Sequence, residues 1–282
     1  MTLKNQKILS ALLLLAGAGW AAEKQDHDLF NPVPRDQLRP LSADRPDATE
    51  SPYTVDAGHV QLEIDIVAYL RDRSPGARDG TEVEGLGLGI TNVKLGVTRS
   101  VDVQLVIETF VDVETTTPGA TTTTNGFGDL TLRVKINLWG NDGGETAFAV
   151  MPFLKFPTNQ DNLGNNDVEG GIIFPFGMEL PNGWGLGLQI EFDIVRNAAD
   201  NGYDLDFAQT IVIGHALFGD VSAFLELASV FPADDGTDWI GTINSGLTWL
   251  VNPNLQFDIG VNVGISRDAD DLVLFLGVTK RF

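Results

Sequence analysis

Twelve stretches of this chain alternate apolar residues with polar or small ones, and the gaps between them run long, short, long, short, until the last stretch stops on Phe282. The clearest run is Leu130, Leu132, Val134, Ile136 and Leu138, interleaved with Asp129, Thr131, Arg133, Lys135 and Asn137. A two-residue period puts the two sets on opposite faces of a strand. A soluble sandwich alternates too, but it needs neither loops whose lengths alternate by side nor an almost charge-free face on nearly every strand. A barrel in an outer membrane needs both, with apolar side chains toward lipid, polar ones toward a lumen, short turns at one end and longer loops at the other. The expected fold is all-β: a single 12-stranded antiparallel transmembrane β-barrel over residues 58–282, preceded by a short extended N-terminal segment. An even strand number puts both barrel ends on the short-turn side, which in such barrels is the periplasm.

The chain has 282 residues, no cysteine and a formal charge of −21. Such acidity excludes the basic footprint of a nucleic-acid binder, and patterned apolar content of 43% excludes a disordered chain. Lys4 and Lys7, the apolar run from Ile8 to Ala16 and the small residues around Ala21 and Ala22 predict a secretory signal over residues 1–22. The apolar run is too short for a membrane helix, which needs about 20 residues. Residues 23–57 carry Pro32, Pro34, Pro40, Pro46 and Pro52 without a sustained period, and read as an extended periplasmic or plug segment.

Simple alternation assigns the faces. In the first strand, Val60, Leu62, Ile64, Ile66, Ala68 and Leu70 share the lipid side, with Gln61, Glu63, Asp65, Tyr69 and Arg71 opposite. The second strand changes parity between Ile90 and Val93, which predicts a bulge near Thr91. The threonine-rich stretch 115–125 reads as a long loop. The strand over about 204–216 has no assignable facing, and Trp139 falls off parity. Trp184, Trp239 and Trp249 suit an aromatic girdle.

Inward parity collects the lumen-lining candidates Glu63, Asp65, Lys94, Glu108, Asp129, Arg133, Lys135, Lys155, Glu191, Asp193, Glu226 and Asp258, and also Arg71, Asp112, Glu169 and Arg281. Charges of both signs in a lumen of this size define a selective pore or a salt-bridged lattice that closes it; both stay open at this point. Arg45, Asp47 and Glu50 are the plug candidates, charged and close to the first strand. Pro152 and Pro175 fall mid-strand in neighbouring strands, where each removes a ladder donor. They mark either two bulges or a weak seam for sideways exit, with Phe153, Phe174 and Phe176 around it. His27, His59 and His215 lack metal-ligand spacing and no nucleophile motif is present, so neither catalysis nor a cofactor or metal is expected.

The segment Arg45-Pro46-Asp47-Ala48-Thr49-Glu50-Ser51-Pro52-Tyr53-Thr54-Val55, followed by Gly58-His59-Val60-Gln61-Leu62-Glu63, resembles the opening motif of the bacterial transporter family assigned to the phenol-degradation MetA pathway. Gly128-Asp129-Leu130 with Lys135, Pro152-Phe153-Leu154-Lys155-Phe156-Pro157, Asp258-Ile259-Gly260, and Leu276-Gly277 with Arg281-Phe282 resemble its later motifs. The resemblance covers most of the chain after the leader. It implies a protein of the Gram-negative outer membrane that passes small, hydrophobic or aromatic solutes. Its partners would be outer-membrane lipid and lipopolysaccharide, the barrel assembly machinery and a small-molecule solute. Lys280 stands where such barrels often carry an aromatic residue. A closed barrel with a structural or envelope-interaction role is the alternative.

Overall fold

The computed structural model describes residues 27–73, 80–197, 202–233 and 238–282; the expected leader, residues 1–22, lies outside them. Among the described residues, fourteen strands form one antiparallel sheet. In chain order they are β1 (Val60–Arg73), β2 (Glu82–Thr98), β3 (Val101–Ile107), β4 (Phe110–Thr117), β5 (Ala120–Gly126), β6 (Leu130–Trp139) and β7 (Thr146–Phe156). They continue as β8 (Glu169–Leu180), β9 (Trp184–Asn197), β10 (Gly202–Phe218), β11 (Val221–Phe231), β12 (Ile240–Asn252), β13 (Leu255–Gly264) and β14 (Leu272–Arg281).

The sheet closes because β1 pairs with both β2 and β14. β2 pairs with β3 along one half and with β4 along the other, so β3 and β4 are one stave interrupted at Glu108–Thr109. β5 and β6 are likewise one stave interrupted at residues 127–129. The result is a closed barrel of 12 staves. Closure leaves no open edge through the band where lipid could not satisfy it.

The polarity of the wall is that of a membrane barrel. Leu132, Ile190 and Ile259 point outward and are 39%, 47% and 54% exposed, whereas Lys94, Lys135, Gln61 and Gln104 point inward and are fully buried. An apolar exterior over a polar interior reverses the soluble rule. A register shift after Asn137 turns Trp139 outward against Phe148, with ring centroids 4.9 Å apart. From there an aromatic stripe runs Phe148, Phe174, Phe192, Phe207 and Phe231 across the outer face, at spacings of 5.4–6.5 Å. Cross-strand neighbours climb as the strands tilt, so the stripe rises from the short-turn end at β6 to the long-loop end at β11.

Four expectations need correction. The threonine-rich stretch is a hairpin, β4–β5, with Thr115 opposite Thr122 and Thr116 opposite Thr121; threonine is a good strand residue, and a tight turn at Pro118–Gly119 suffices. The bulge in β2 lies nearer Gly89, whose φ is +65°. The third concerns β1. Against β14, Asp65 pairs with Gly277 and Val67 with Leu276, so Ile66 is an extra residue. One inserted residue flips every later side chain. Val67, Tyr69 and Arg71 therefore face outward with Leu276, Leu274 and Leu272, while Ala68, Leu70 and Asp72 face the lumen. Asp112, opposite Leu86 in β4, also faces outward. For β10, Asp204, Asp206, Thr210 and Val212 face inward, and Leu205, Ile211 and Ile213 outward.

Candidate functional site

The lumen at the short-turn half is filled by residues 42–57, which enter beneath β1 and are held by side chains of the wall. Room for them comes from small residues. A Cβ on Gly96 would lie 2.0 Å from the Asp56 carbonyl oxygen, and one on Gly277 would lie 2.0 Å from the Arg45 guanidinium.

Charges make the first set of contacts. Lys94 Nζ lies 2.6 Å from Asp44 and 2.9 Å from Glu63, and Lys135 also reaches Asp44. Both ammonium groups are fully buried, so these carboxylates are what makes their burial tolerable. Burial pushes the Asp44 carboxyl up, but Lys135 and Lys94 outweigh it and hold the group well below the usual carboxylate range. Arg45 donates to Asp258 at 2.7 Å and to Asp65 at 2.8 Å, and stacks over the Phe275 ring at 5.9 Å. Arg133 pairs with Glu50 at 2.7 Å. Asp56 takes Arg39 at 2.7 Å and Arg281 at 3.2 Å. Asp47 makes no ion pair among the described residues; burial, and next Glu226, push its carboxyl well above the usual range.

Main-chain groups make the second set. Glu226 accepts from the Ala48 and Thr49 amides, both at 2.8 Å, and from the Thr49 hydroxyl at 2.5 Å. Glu63 accepts the Asp44 amide at 3.1 Å, Gln189 the Glu50 amide at 2.7 Å, and Asp102 the Val55 amide at 3.0 Å. Asn137 donates to the Pro52 carbonyl at 2.8 Å, and Gln61 to that of Ser42 at 2.8 Å. An extended segment has no partners of its own for these groups, and buried main-chain donors need acceptors. Asp102, Gln61, Gln104 and Gln189 escaped the sequence-based list of sites; their inward parity was legible, but only the path of the inner segment shows what they bind.

Toward the long-loop end of the lumen most inward charges are half-buried. Glu191 and Asp193 face it from β9, with Asp206 opposite Asp193 on β10. Lys155 stands 3.6 Å from Asp129. Asp129 also gathers the loop after β7, accepting from the amides of Thr158 at 3.0 Å and Asn165 at 2.8 Å and from the Asn159 side chain at 2.7 Å. Glu108 accepts the Asp129 amide at 3.1 Å, which ties the two interruptions of the wall together. The ladder of β6 and β7 ends at Leu130–Phe156. Beyond it, β5 pairs only with β4, and Gln160 bridges the notch by hydrogen bonds of 2.9 and 3.3 Å with Phe127.

The proline pair is arranged differently from a common opening. Pro152 faces lipid and interrupts pairing between β6 and β7; Pro175 faces the lumen, is fully buried, and interrupts pairing between β7 and β8. Register is the same on both sides of the second interruption. Phe153 points inward and Phe174 and Phe176 outward, so the three do not ring one exit.

A family model described as "Putative MetA-pathway of phenol degradation" matches residues 43–282. No curated protein matches the chain. Among solved structures, the COG4313 outer membrane channel from Pseudomonas putida F1 superposes with a TM-score of 0.60 at 14% identity, over 86% of this chain and 100% of the other. The NanC porin superposes at 0.51 with 12% identity, over 78% and 98%. The translocator domain of the autotransporter NalP from Neisseria meningitidis superposes at 0.51 with 10% identity, over 79% and 88%.

Proposed function

The chain belongs to the family of the MetA pathway of phenol degradation, and from that premise we propose that it is a Gram-negative outer-membrane channel for small apolar or aromatic solutes. One observation carries the reading: a closed barrel encloses a lumen whose short-turn half is filled, through ion pairs and main-chain hydrogen bonds, by residues 42–57 of the same chain. A wide aqueous pore would leave that space to water. A lumen entered from the long-loop end and blocked below suits a solute that leaves sideways. The notch between β5 and the end of β7 is the exit this reading favours, because the loop 157–168 covers it with one main-chain hydrogen bond and a few side-chain ones rather than a ladder. The β7–β8 seam keeps its register and is the weaker candidate. The absence of any nucleophile motif or metal-ligand spacing in the sequence fits a channel rather than an enzyme.

Cells with an intact outer membrane should accumulate a labelled aromatic hydrocarbon faster when they express the protein, while purified protein in a planar bilayer should show only small ion conductance. No gain in uptake together with no conductance would instead favour a closed barrel with an envelope-interaction role. The exit has its own test. A Cβ on Gly126 would lie 2.9 Å from that of Gln160, near enough for a disulfide after a small shift. Gly126→Cys with Gln160→Cys, once oxidised, should slow hydrocarbon uptake and spare ion conductance, and reductant should restore uptake. Undiminished uptake by the oxidised pair would move the exit elsewhere.

A further inference from the structure

The extra residue at Ile66 turns apolar side chains of the wall beyond it toward the lumen. On β1, β2 and β4 the lumen face there carries Ala68, Leu70, Val111 and Val113, with Ile90 just below the insertion and Asp72 at the upper end. The outer face carries Val67, Leu86, Leu88 and Phe110 nearest the insertion and, mostly above them, Tyr69, Arg71, Glu82 and Glu84, joined by Tyr69 to Glu84 at 2.9 Å and Arg71 to Glu82 at 2.7 Å. β14 extends the apolar lumen face with Val273 and Phe275. Only the upper edge, with charges outside and apolar side chains inside, has the pattern of a soluble sheet; the greasy inner surface is what sets this stretch apart from the rest of the lumen.

The strip is shaped as well as apolar. A Cβ on Gly87 would lie 2.8 Å from Ile90 Cδ1, and one on Gly260 would lie 2.2 Å from Phe275 Cζ, so both side chains lie along the wall over glycines. Ala68, Leu70, Ile90, Val111, Val113 and Phe275 are only half-buried. The inner segment meets the strip at its lower border, where Arg45 stacks on Phe275. Apolar surface left facing a wet lumen forgoes about 25 cal/mol per Å², and a contiguous exposed patch of that kind marks a binding surface. Diametrically across the barrel, β9 and β10 present Glu191, Asp193 and Asp206.

We propose that this strip binds a neutral apolar molecule of one or two aromatic rings, and that the facing carboxylates turn away organic acids of the same size. The proposal deepens the channel reading and rests on it for its physiological role, but binding can be measured without transport. The chain has no cysteine, so single cysteines report on local shielding. In the full-length protein in lipid nanodiscs, Leu70→Cys and Val113→Cys would each be labelled with a small thiol reagent, with Asp206→Cys as the control on the facing wall. At a naphthalene concentration about tenfold above half-saturation, labelling at the two strip positions should slow about tenfold, and labelling at the control should not. 2-Naphthoate should shield the strip about tenfold less at equal concentration, because like charges meet across the lumen. Absence of shielding at both strip positions overturns the site, and equal shielding by the acid overturns the charge selection. Hydrocarbon uptake by cells without shielding would leave the channel standing and the site refuted; shielding without uptake would do the reverse.

Discussion

At the residue scale, two fully buried lysines converge on Asp44. Asp44→Ala strips both of that partner, and breaking a buried pair costs about 3–5 kcal/mol. Urea unfolding from liposomes should show a loss of that order, or a loosened inner segment by protease cleavage within 42–57. The pH dependence follows from the direction of its shift. A carboxyl held below its ordinary value contributes stability at and above that value, and loses it as pH falls through the depressed one. Asp44 should therefore hold the segment unchanged from neutral pH down to about pH 4, with release only in stronger acid, readable as a conductance rise that Asp44→Ala abolishes. Alternation made Glu63, Lys94, Arg133, Lys135 and Glu226 legible as lumen residues, since period two survives any sequence noise. It could not reveal that Lys94 and Lys135 share Asp44, because Asp44 lies in a stretch with no period. Nor could it place Ala68 and Leu70, because a parity rule has no way to register one inserted residue among apolar neighbours.

At the scale of elements, the inversion beyond Ile66 depends on its partner irregularity at Gly89 in β2, where φ is +65°. A β-branched side chain resists that region at about 1–2 kcal/mol. Gly89→Val should lower stability by about that much and weaken naphthalene shielding at Leu70. Gly119→Val, at the tip of the β4–β5 hairpin where a Cβ meets nothing within 4 Å, should leave that shielding unchanged. Equal effects of the two changes would show that the bulge is incidental. The hairpin itself was hidden from the sequence for a simple reason. Threonine is both a strand former and a common loop residue, and the run 121–124 offers no apolar alternation to decide between them.

At the scale of the whole molecule, deleting residues 23–57 should empty the short-turn half of the lumen and raise single-channel conductance while the barrel still assembles. Unchanged conductance in an assembled barrel would remove the obstructing role of this segment. Barrel and strand number were legible, and so was the lipid face of most staves, because lipid on one side and charge on the other impose one pattern wherever no residue is inserted. The groups that grip the inner segment come from β1, β2, β3, β6, β9, β10, β11, β13 and β14, nearly the full circumference. No partial sheet brings them together, and a ring closed with one hairpin missing would set them at the wrong radius. The segment thus works as a gauge. It seats only in a ring of the right size, so each molecule carries its own inspection of whether its wall has been finished.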